Sequence, residues 1–508
     1  MKNLSLYIII ATITLFTSCN SVPSTYQNNT SPANIFPDYS GISIPCNMAP
    51  LNFKLTDGSD KAIVTFASNN YKFKVKADNS VVQIPISKWK KLLKKSAGDE
   101  IKIDIYSKAK NRPWGKYPTI TNKIEKDSID NYIVYRNIGA GYILWEKMGI
   151  MQRSLTNFDQ SPILLNDETN GNCMNCHSFC KNDPSKMVIH LRQPPSGTLL
   201  YNNGEVKFIN LKTKNTMSAG VYPSWHPDGK KIAFSVNIIR QKFHTAGKKD
   251  INVYDQASDI IVYDIDKNEV TTTPKLSTQS MENLPNWSPD GEYLYYISAP
   301  KYSEETPANA VKYDLLRIKY NQHDGTWGNV DTLLRSKDTG KSISFPEISP
   351  DGKHLVFCMA EYGYFTIFQQ NCDLYMMNLD NFSYSKMPVN SESVESFHSW
   401  SNNGKWLLFV SKRLDNFYSS VYFCHVDENG NVSKPFILPQ EDPNFYDHFT
   451  QNFNRPVFIR DKETIKSYKL SNKAFSPILN ANFDPKVDVD ALSGATRLKQ
   501  DNVSEHTN

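Results

Sequence analysis

A single pattern written four times limits what this chain can fold into more than any other feature. Tyr222-Pro-Ser-Trp225-His-Pro-Asp228-Gly229-Lys-Lys-Ile232-Ala-Phe234 recurs as Leu284-Pro-Asn-Trp287-Ser-Pro-Asp290-Gly291-Glu-Tyr-Leu294-Tyr-Tyr296 and as Phe345-Pro-Glu-Ile348-Ser-Pro-Asp351-Gly352-Lys-His-Leu355-Val-Phe357. A looser copy is Ser396-Phe-His-Ser-Trp400-Ser-Asn-Asn-Gly404-Lys-Trp406-Leu-Leu-Phe409. Gly229, Gly291, Gly352 and Gly404 stand 62, 61 and 52 residues apart. Each copy reads as a strand, a turn closed by a glycine where positive φ is free of steric cost, and a returning apolar strand. Most copies are followed by a second hairpin that opens with Asp and β-formers, as in Asp259-Ile-Ile-Val-Tyr263, Asp314-Leu-Leu-Arg-Ile318 and Asp373-Leu-Tyr-Met-Met377. Four strands per period is one propeller blade.

The Trp-x-Pro-Asp-Gly-x-x-Ile/Leu-x-Phe pattern followed by an Asp-led strand resembles the repeat of TolB-like β-propellers. That resemblance implies six blades, of which four are explicit; Gly197 to Lys212 and Asn454 to Leu470 are the degenerate candidates for the other two. Aromatic content of 12%, with 27 Tyr and 26 Phe against 22 Gly, agrees with a mostly β chain.

The amino terminus speaks to compartment. Lys2, an apolar run from Leu4 to Phe16 and the small residues Thr17 and Ser18 lead to Cys19, the layout of an exported signal. The Cys directly after small residues resembles a bacterial lipobox, which implies that Cys19 is lipidated and becomes the first residue of the mature chain. Several acyl chains together make a stable membrane anchor. Residues 1–18 are thus expected to be a signal peptide, 19–45 a lipidated flexible tether with its Ser, Asn, Pro and Thr from Asn20 to Tyr39, and the location the cell envelope, on the outer membrane, outside the cytoplasm.

Residues 46–110 alternate as short strands, Lys61 to Phe66, Lys72 to Lys76, Val81 to Pro85 and Glu100 to Tyr106, and read as a small β-sandwich-like domain. Within it the basic run Lys88 to Lys95 reads as a solvated helical turn that buries Trp89, Leu92 and Leu93. Residues 111–190 read as irregular, with a helix around Asp130 to Arg136; the propeller is expected over 191–480 and a polar tail over 481–508. The net charge of +5 is spread over 508 residues without a basic stripe, which speaks against a nucleic-acid partner.

Inside the irregular segment lies Cys173-Met-Asn-Cys176-His177, the spacing of c-type haem attachment. Two thiols would add to the haem vinyl groups and His177 would ligate the iron as proximal ligand. A redox dithiol, a zinc site with Cys180 as third thiolate and a structural disulfide compete with haem c for these residues. In Met187-Val-Ile-His190-Leu-Arg192 the alternation puts Met187, Ile189 and Leu191 on one strand face and Val188, His190 and Arg192 on the other, so only one of Met187 and His190 could point at the same iron as a distal ligand, with Met187 in the core and His190 on the surface as the alternative. His226, His354, His398 and His425 have no metal-ligand spacing and read as packing or surface groups. Of the cysteines beyond Cys19, which are Cys46, Cys173, Cys176, Cys180, Cys358, Cys372 and Cys424, only the three around His177 cluster.

The tail holds Asp490-Ala-Leu-Ser493-Gly494-Ala495-Thr496, which resembles the sequence recognised by the transferase that links FMN phosphate to a Thr hydroxyl. The resemblance makes Thr496 the acceptor, with Gly494 and Ala495 leaving room for an approaching enzyme; a chance match in a polar tail stands beside it. No nucleophile elbow, P-loop or dinucleotide fingerprint occurs. The whole arrangement is similar to exported lipoproteins of Bacteroidetes type in which a TolB-like propeller follows a Cys-x-x-Cys-His segment. That similarity adds little about role; with no catalytic constellation to read, the chain is expected to be an electron carrier or binding protein rather than an enzyme, the leading expectation being a membrane-anchored lipoprotein with one haem, docked by its propeller to a redox partner. The alternative is an envelope binding or assembly module that recognises a protein or glycan and in which the cysteines are structural.

Overall fold

Runs of β-branched and aromatic residues broken by Asn-Gly and Asp-Gly turns leave this chain little choice but sheets, and the computed structural model, which describes residues 22–140, 147–243, 251–301, 303 and 307–494, is mostly β. Cys19 and Thr496 lie outside the described residues. No helix among the described residues is long and apolar enough to cross a membrane. The chain divides into two compact units, one of residues up to Lys126 together with Pro439–His448, the other of Asp127–Leu438 with Phe449 onward.

The first unit holds a seven-stranded sheet and a three-stranded sheet. Strands Lys61–Ala67, Lys72–Asp78 and Glu100–Lys108 form where alternation predicts them, and Lys61–Ala67 pairs antiparallel with both of the others. Helix Ile86–Lys95 is longer than the single turn expected, and it buries the same three residues, Trp89, Leu92 and Leu93. Trp89 is fully buried, its indole N–H donates to the Met48 carbonyl at 3.0 Å, and its ring meets Phe66 edge-on. The expected tether is shorter than its polar composition suggests. Gln27–Asn28, Ile35–Phe36 and Ser43–Ile44 pair within this unit because Ile35, Tyr39, Ile42 and Ile44 have apolar surface to bury.

The second unit is a β-propeller, and its described residues form six mainly antiparallel sheets, each of four or five strands. Their innermost strands, in chain order, are Met174–Phe179, Val221–Trp225, Met281–Trp287, Ser342–Ile348, Glu395–Trp400 and Asn452–Ile459. We number the sheets one to six by these strands. Apolar side chains from neighbouring sheets interlock; Val188 and Leu200 of sheet one, for example, pack with Trp225, Phe234 and Ile261 of sheet two.

Sheet six is made from both ends of the unit. Its inner strand pairs with Tyr132–Ile138, which pairs with Gly149–Ser154, which pairs with Gln160–Leu165. The helix expected around Asp130 to Arg136 is therefore a strand, and the segment expected to be irregular supplies three strands of sheet six and two of sheet one. Isolated alternation in Tyr132–Ile138 is weak, and its partner stands more than 300 residues away, so only long-range pairing reveals it. Of the two degenerate candidates, Gly197 to Lys212 forms the outer strands Gly197–Asn202 and Glu205–Asn210 of sheet one, and Asn454 to Leu470 contains most of the inner strand of sheet six and then enters helix Ser467–Ala474. The tail is also more structured than its polarity implies. Leu479–Asn480 and Asn482–Phe483 add parallel outer strands to sheets one and two.

Candidate functional site

All six inner strands break register at the same place. Two residues there oppose one on the neighbouring strand: Cys176 and His177, Tyr222 and Pro223, Leu284 and Pro285, Phe345 and Pro346, Phe397 and His398, Arg455 and Pro456. The first of each pair has positive φ, between 45° and 52°, although none is glycine. In four strands the second is proline, which needs no ladder hydrogen bond and disfavours right-handed helical backbone before it. Asn175-Cys176-His177-Ser178-Phe179 is thereby the counterpart of Asn283-Leu284-Pro285-Asn286-Trp287 and of Asn454-Arg455-Pro456-Val457-Phe458. The last four residues of Cys-x-x-Cys-His lie on the inner strand of sheet one rather than in an open segment.

The turn residues meet at the middle of the propeller. Phe345 packs edge-on against Phe397 at 5.1 Å and against Tyr222 at 6.5 Å, and the Arg455 guanidinium lies over the rings of Tyr222 and Phe345 at 5.6 and 5.9 Å. The Tyr222 backbone N–H donates to Cys176 Sγ at 3.4 Å. On one side of this plug is a cavity of about 410 Å³ whose lining comes from all six sheets and includes His177, Trp225, Asn286, Glu347, Trp400 and Arg455. Asn286 donates through Nδ2 to Glu347 Oε2 at 3.2 Å. Burial pushes the Glu347 carboxyl up, against the opposing pull of His398, Arg455 and Asn286.

On its other flank Tyr222 packs against Tyr364, and Tyr364 against Tyr313, whose hydroxyl donates to Asp255 Oδ2 at 2.8 Å. Asn237 and Asn283 also donate to this 1% exposed carboxylate, at 2.9 and 2.6 Å. Burial nevertheless pushes Asp255 up to about 6 from the ordinary 3.8, the hydrogen bonds from Tyr313, Asn283 and Asn237 pulling the other way. Because the folded-state value is the higher one, the folded chain keeps a proton that the unfolded chain has already released. The stability this group contributes is present below about pH 4 and lost as pH rises through about 6, a change of about 3 kcal/mol. Urea midpoints measured from pH 4 to 7 are expected to fall more steeply for the wild type than for Asp255→Asn; equal slopes would refute the assignment.

The candidate haem residues belong to the two innermost strands of sheet one or adjoin them. His177 is 2% exposed, its Nε2 lies 3.4 Å from the Val134 carbonyl oxygen, and burial, helped by Arg455 and Arg136, draws it down to about 3. Cys173 and Cys176 are half-buried free thiols. Arg136 donates to the Met174 carbonyl and to Asn454 Oδ1, at 3.1 and 2.8 Å, in the charge environment of both thiols. Met187 stands opposite Phe179 in register and is packed in the core with Ile189 and Leu191, while His190 stands opposite Asn175 and meets Thr198 Oγ1 at 3.1 Å. The two-faced pattern of that strand is as the alternation predicts, and both candidate distal ligands are occupied by packing or hydrogen bonding. Cys180 is buried in the core between sheets one and two beside Trp225, where burial raises its thiol. No three His, Cys, Asp or Glu side chains converge as a metal site among the described residues.

A porphyrin ligated by His177 needs an open face over Nε2 with both thiols at its edge. As folded, Nε2 is turned to the Val134 carbonyl and His177 is only 2% exposed, so these residues do not fit that group without opening the inner edge of sheet one. The four repeat histidines behave as packing groups, His226, His354, His398 and His425 all being at most 8% exposed. In the tail, the N–H groups of Ser493 and Gly494 both approach the Ser277 carbonyl, at 3.2 and 3.3 Å, and a side chain at Gly494 would strike the Asp259 carboxylate. A side chain at Gly494 would therefore have to displace the Asp259 carboxylate of sheet two.

Arg455, Glu347 and Asp255 are absent from the sequence expectations. Arg455 had a signal, the Asn-Arg-Pro-Val-Phe match to Asn283-Leu-Pro-Asn-Trp287; the two acids carry none that sets them apart from other acids in the chain.

No protein-family model matches the chain, and no curated protein matches it. Solved structures do. A chain of Kuenenia stuttgartiensis hydrazine synthase is similar at 12% identity and TM-score 0.30 over 50% of this chain, which spans 64% of that one. The propeller domain of Cps50 (Swd1) from Myceliophteria thermophila is similar at 8% identity and TM-score 0.31 over 51% of this chain and 69% of its own. A chain of a nidogen/laminin complex is similar at 11% identity and TM-score 0.35 over 61% of this chain and 99% of its own.

Proposed function

We propose that the chain is an envelope lipoprotein, anchored through Cys19, whose six sheets act as the blades of a six-bladed binding or assembly propeller that receives its ligand, part of a protein or a glycan, at the cavity on the channel axis. The observation that carries this reading is the equivalence of Cys176-His177 with the residue-proline pairs of four other inner strands. It accounts for Cys176 and His177 as blade structure and leaves the open cavity as the place where chemistry of all six sheets converges. The spacing Cys173-x-x-Cys176-His177, with both thiols free, favours a second reading, an electron carrier with covalent haem c and a tail flavin on Thr496.

His177→Pro tests the equivalence, and haem detection separates the two readings. Proline is the residue at this position in four of the six inner strands, so the variant is expected to fold with a urea midpoint close to wild type. A pyridine haemochrome spectrum and in-gel haem stain, on protein made in a host with c-type maturation machinery, are expected to be blank for the wild type. A covalent haem signal that is lost in Cys176→Ala would overturn the binding reading in favour of the electron carrier.

A further inference from the structure

We infer that the axial cavity takes a compact organic carboxylate seated on Arg455. This rests on the binding reading above and names the class of ligand. Among the six side chains that meet at the centre, those of Cys176, Tyr222, Leu284, Phe345, Phe397 and Arg455, only the last carries a fixed charge. Its guanidinium lies over the rings of Tyr222 and Phe345, and its Nη1 is buried without a hydrogen-bond partner. A desolvated donor on a cation that lacks an acceptor is costly, and an incoming anion removes that cost. The planar fork of a guanidinium matches the two oxygens of a carboxylate.

The rest of the cavity suits an organic anion. Among the described residues Glu347 is the only acidic side chain in the lining, where it accepts from Asn286 and burial pushes its carboxyl up. Pro223, Pro285 and Pro346 add apolar wall, and a volume of about 410 Å³ is that of a small-molecule site.

The test uses the full mature chain and the intrinsic fluorescence of Trp225, Trp287 and Trp400, which line the cavity. D-glucuronate, D-glucose and inorganic phosphate are titrated separately, with calorimetry as a second readout. Glucuronate is expected to give a saturable change that glucose does not, weakened at least about tenfold in Arg455→Gln, the loss expected when a charged hydrogen-bonded pair is broken. No saturable response to glucuronate, an equal affinity in Arg455→Gln, or binding of phosphate alone would each overturn the inference. Should Arg455→Gln fail to fold by circular dichroism, Arg455→Lys, which keeps the charge without the fork, is expected to bind glucuronate more weakly than wild type, and unchanged binding would refute the carboxylate seat. A covalent haem would defeat the binding reading and leave the comparison of wild type with Arg455→Gln to stand or fall separately.

Discussion

A chain that stops at Gln451 is expected to have no cooperative unfolding transition of its propeller. The missing strand Asn452–Ile459 is the inner strand of sheet six and pairs along its length with Tyr132–Ile138. It buries Phe453, Phe458 and Ile459, all at most 2% exposed, and Phe458 packs on Phe423 of sheet five. Fully burying three such side chains stabilises by about 1.5–3 kcal/mol each, and their loss comes with the unpairing of a whole strand edge. Because sheet six joins the two ends of this unit, the loss is not confined to one sheet. A chain that stops at Ala474 keeps the inner strand and lacks the outer strands Leu479–Asn480 and Asn482–Phe483 and the tail that follows them; it is expected to keep a sharp transition at a lower urea midpoint. Urea titration followed by fluorescence and far-ultraviolet circular dichroism measures both, and a sharp transition in the shorter chain would show that sheet six does not close the unit.

Glu395→Ala is expected to destabilise the propeller by about 3–5 kcal/mol, the cost of breaking a buried ion pair from one side. Glu395 is fully buried at the start of the inner strand of sheet five. Its Oε1 accepts from Arg413 Nη2 at 2.9 Å, from Ser411 Oγ at 2.8 Å and from Ser391 Oγ at 2.6 Å, and its Oε2 accepts from the Ser391 N–H at 3.0 Å. Arg413 would keep only the Val389 carbonyl, Ser411 Oγ and the faces of Phe409 and Tyr422. Glu395→Gln retains the shape and part of the hydrogen bonding, so a smaller loss is expected. If the alanine variant fell within about 1 kcal/mol of wild type, the worth of an exposed pair, the buried network would have to be judged structurally dispensable.

The same cluster illustrates what a sequence can and cannot disclose. Glu395 precedes the loosest repeat, and nothing in Ser391-Glu392-Ser393-Val394-Glu395 distinguishes the buried acid from the exposed one beside it. The cysteine motif is a harder case. Cys-x-x-Cys-His is read by spacing, and spacing is a property of an isolated segment; its equivalence to Tyr222-Pro223 becomes visible only when the bulges of six strands are compared in register. The sequence expectation of Met187 and His190 on opposite faces of one strand agrees with the structure because two-residue alternation is local geometry, while their packing partners depend on strands from elsewhere.

The repeats, the turns ending in Gly229, Gly291, Gly352 and Gly404, and the helix around Trp89 were determined by the sequence itself, since each depends on residues within one or two hairpins or one helical face. Tertiary structure alone decided that Tyr132–Ile138 is a strand, that the Cys176-His177 pair takes the place of a residue-proline pair of four other strands, and that Arg455 and Glu347 share one cavity. Those outcomes depend on pairings across hundreds of residues, where closing the ring fixes which side chains face the axis and no local periodicity records it.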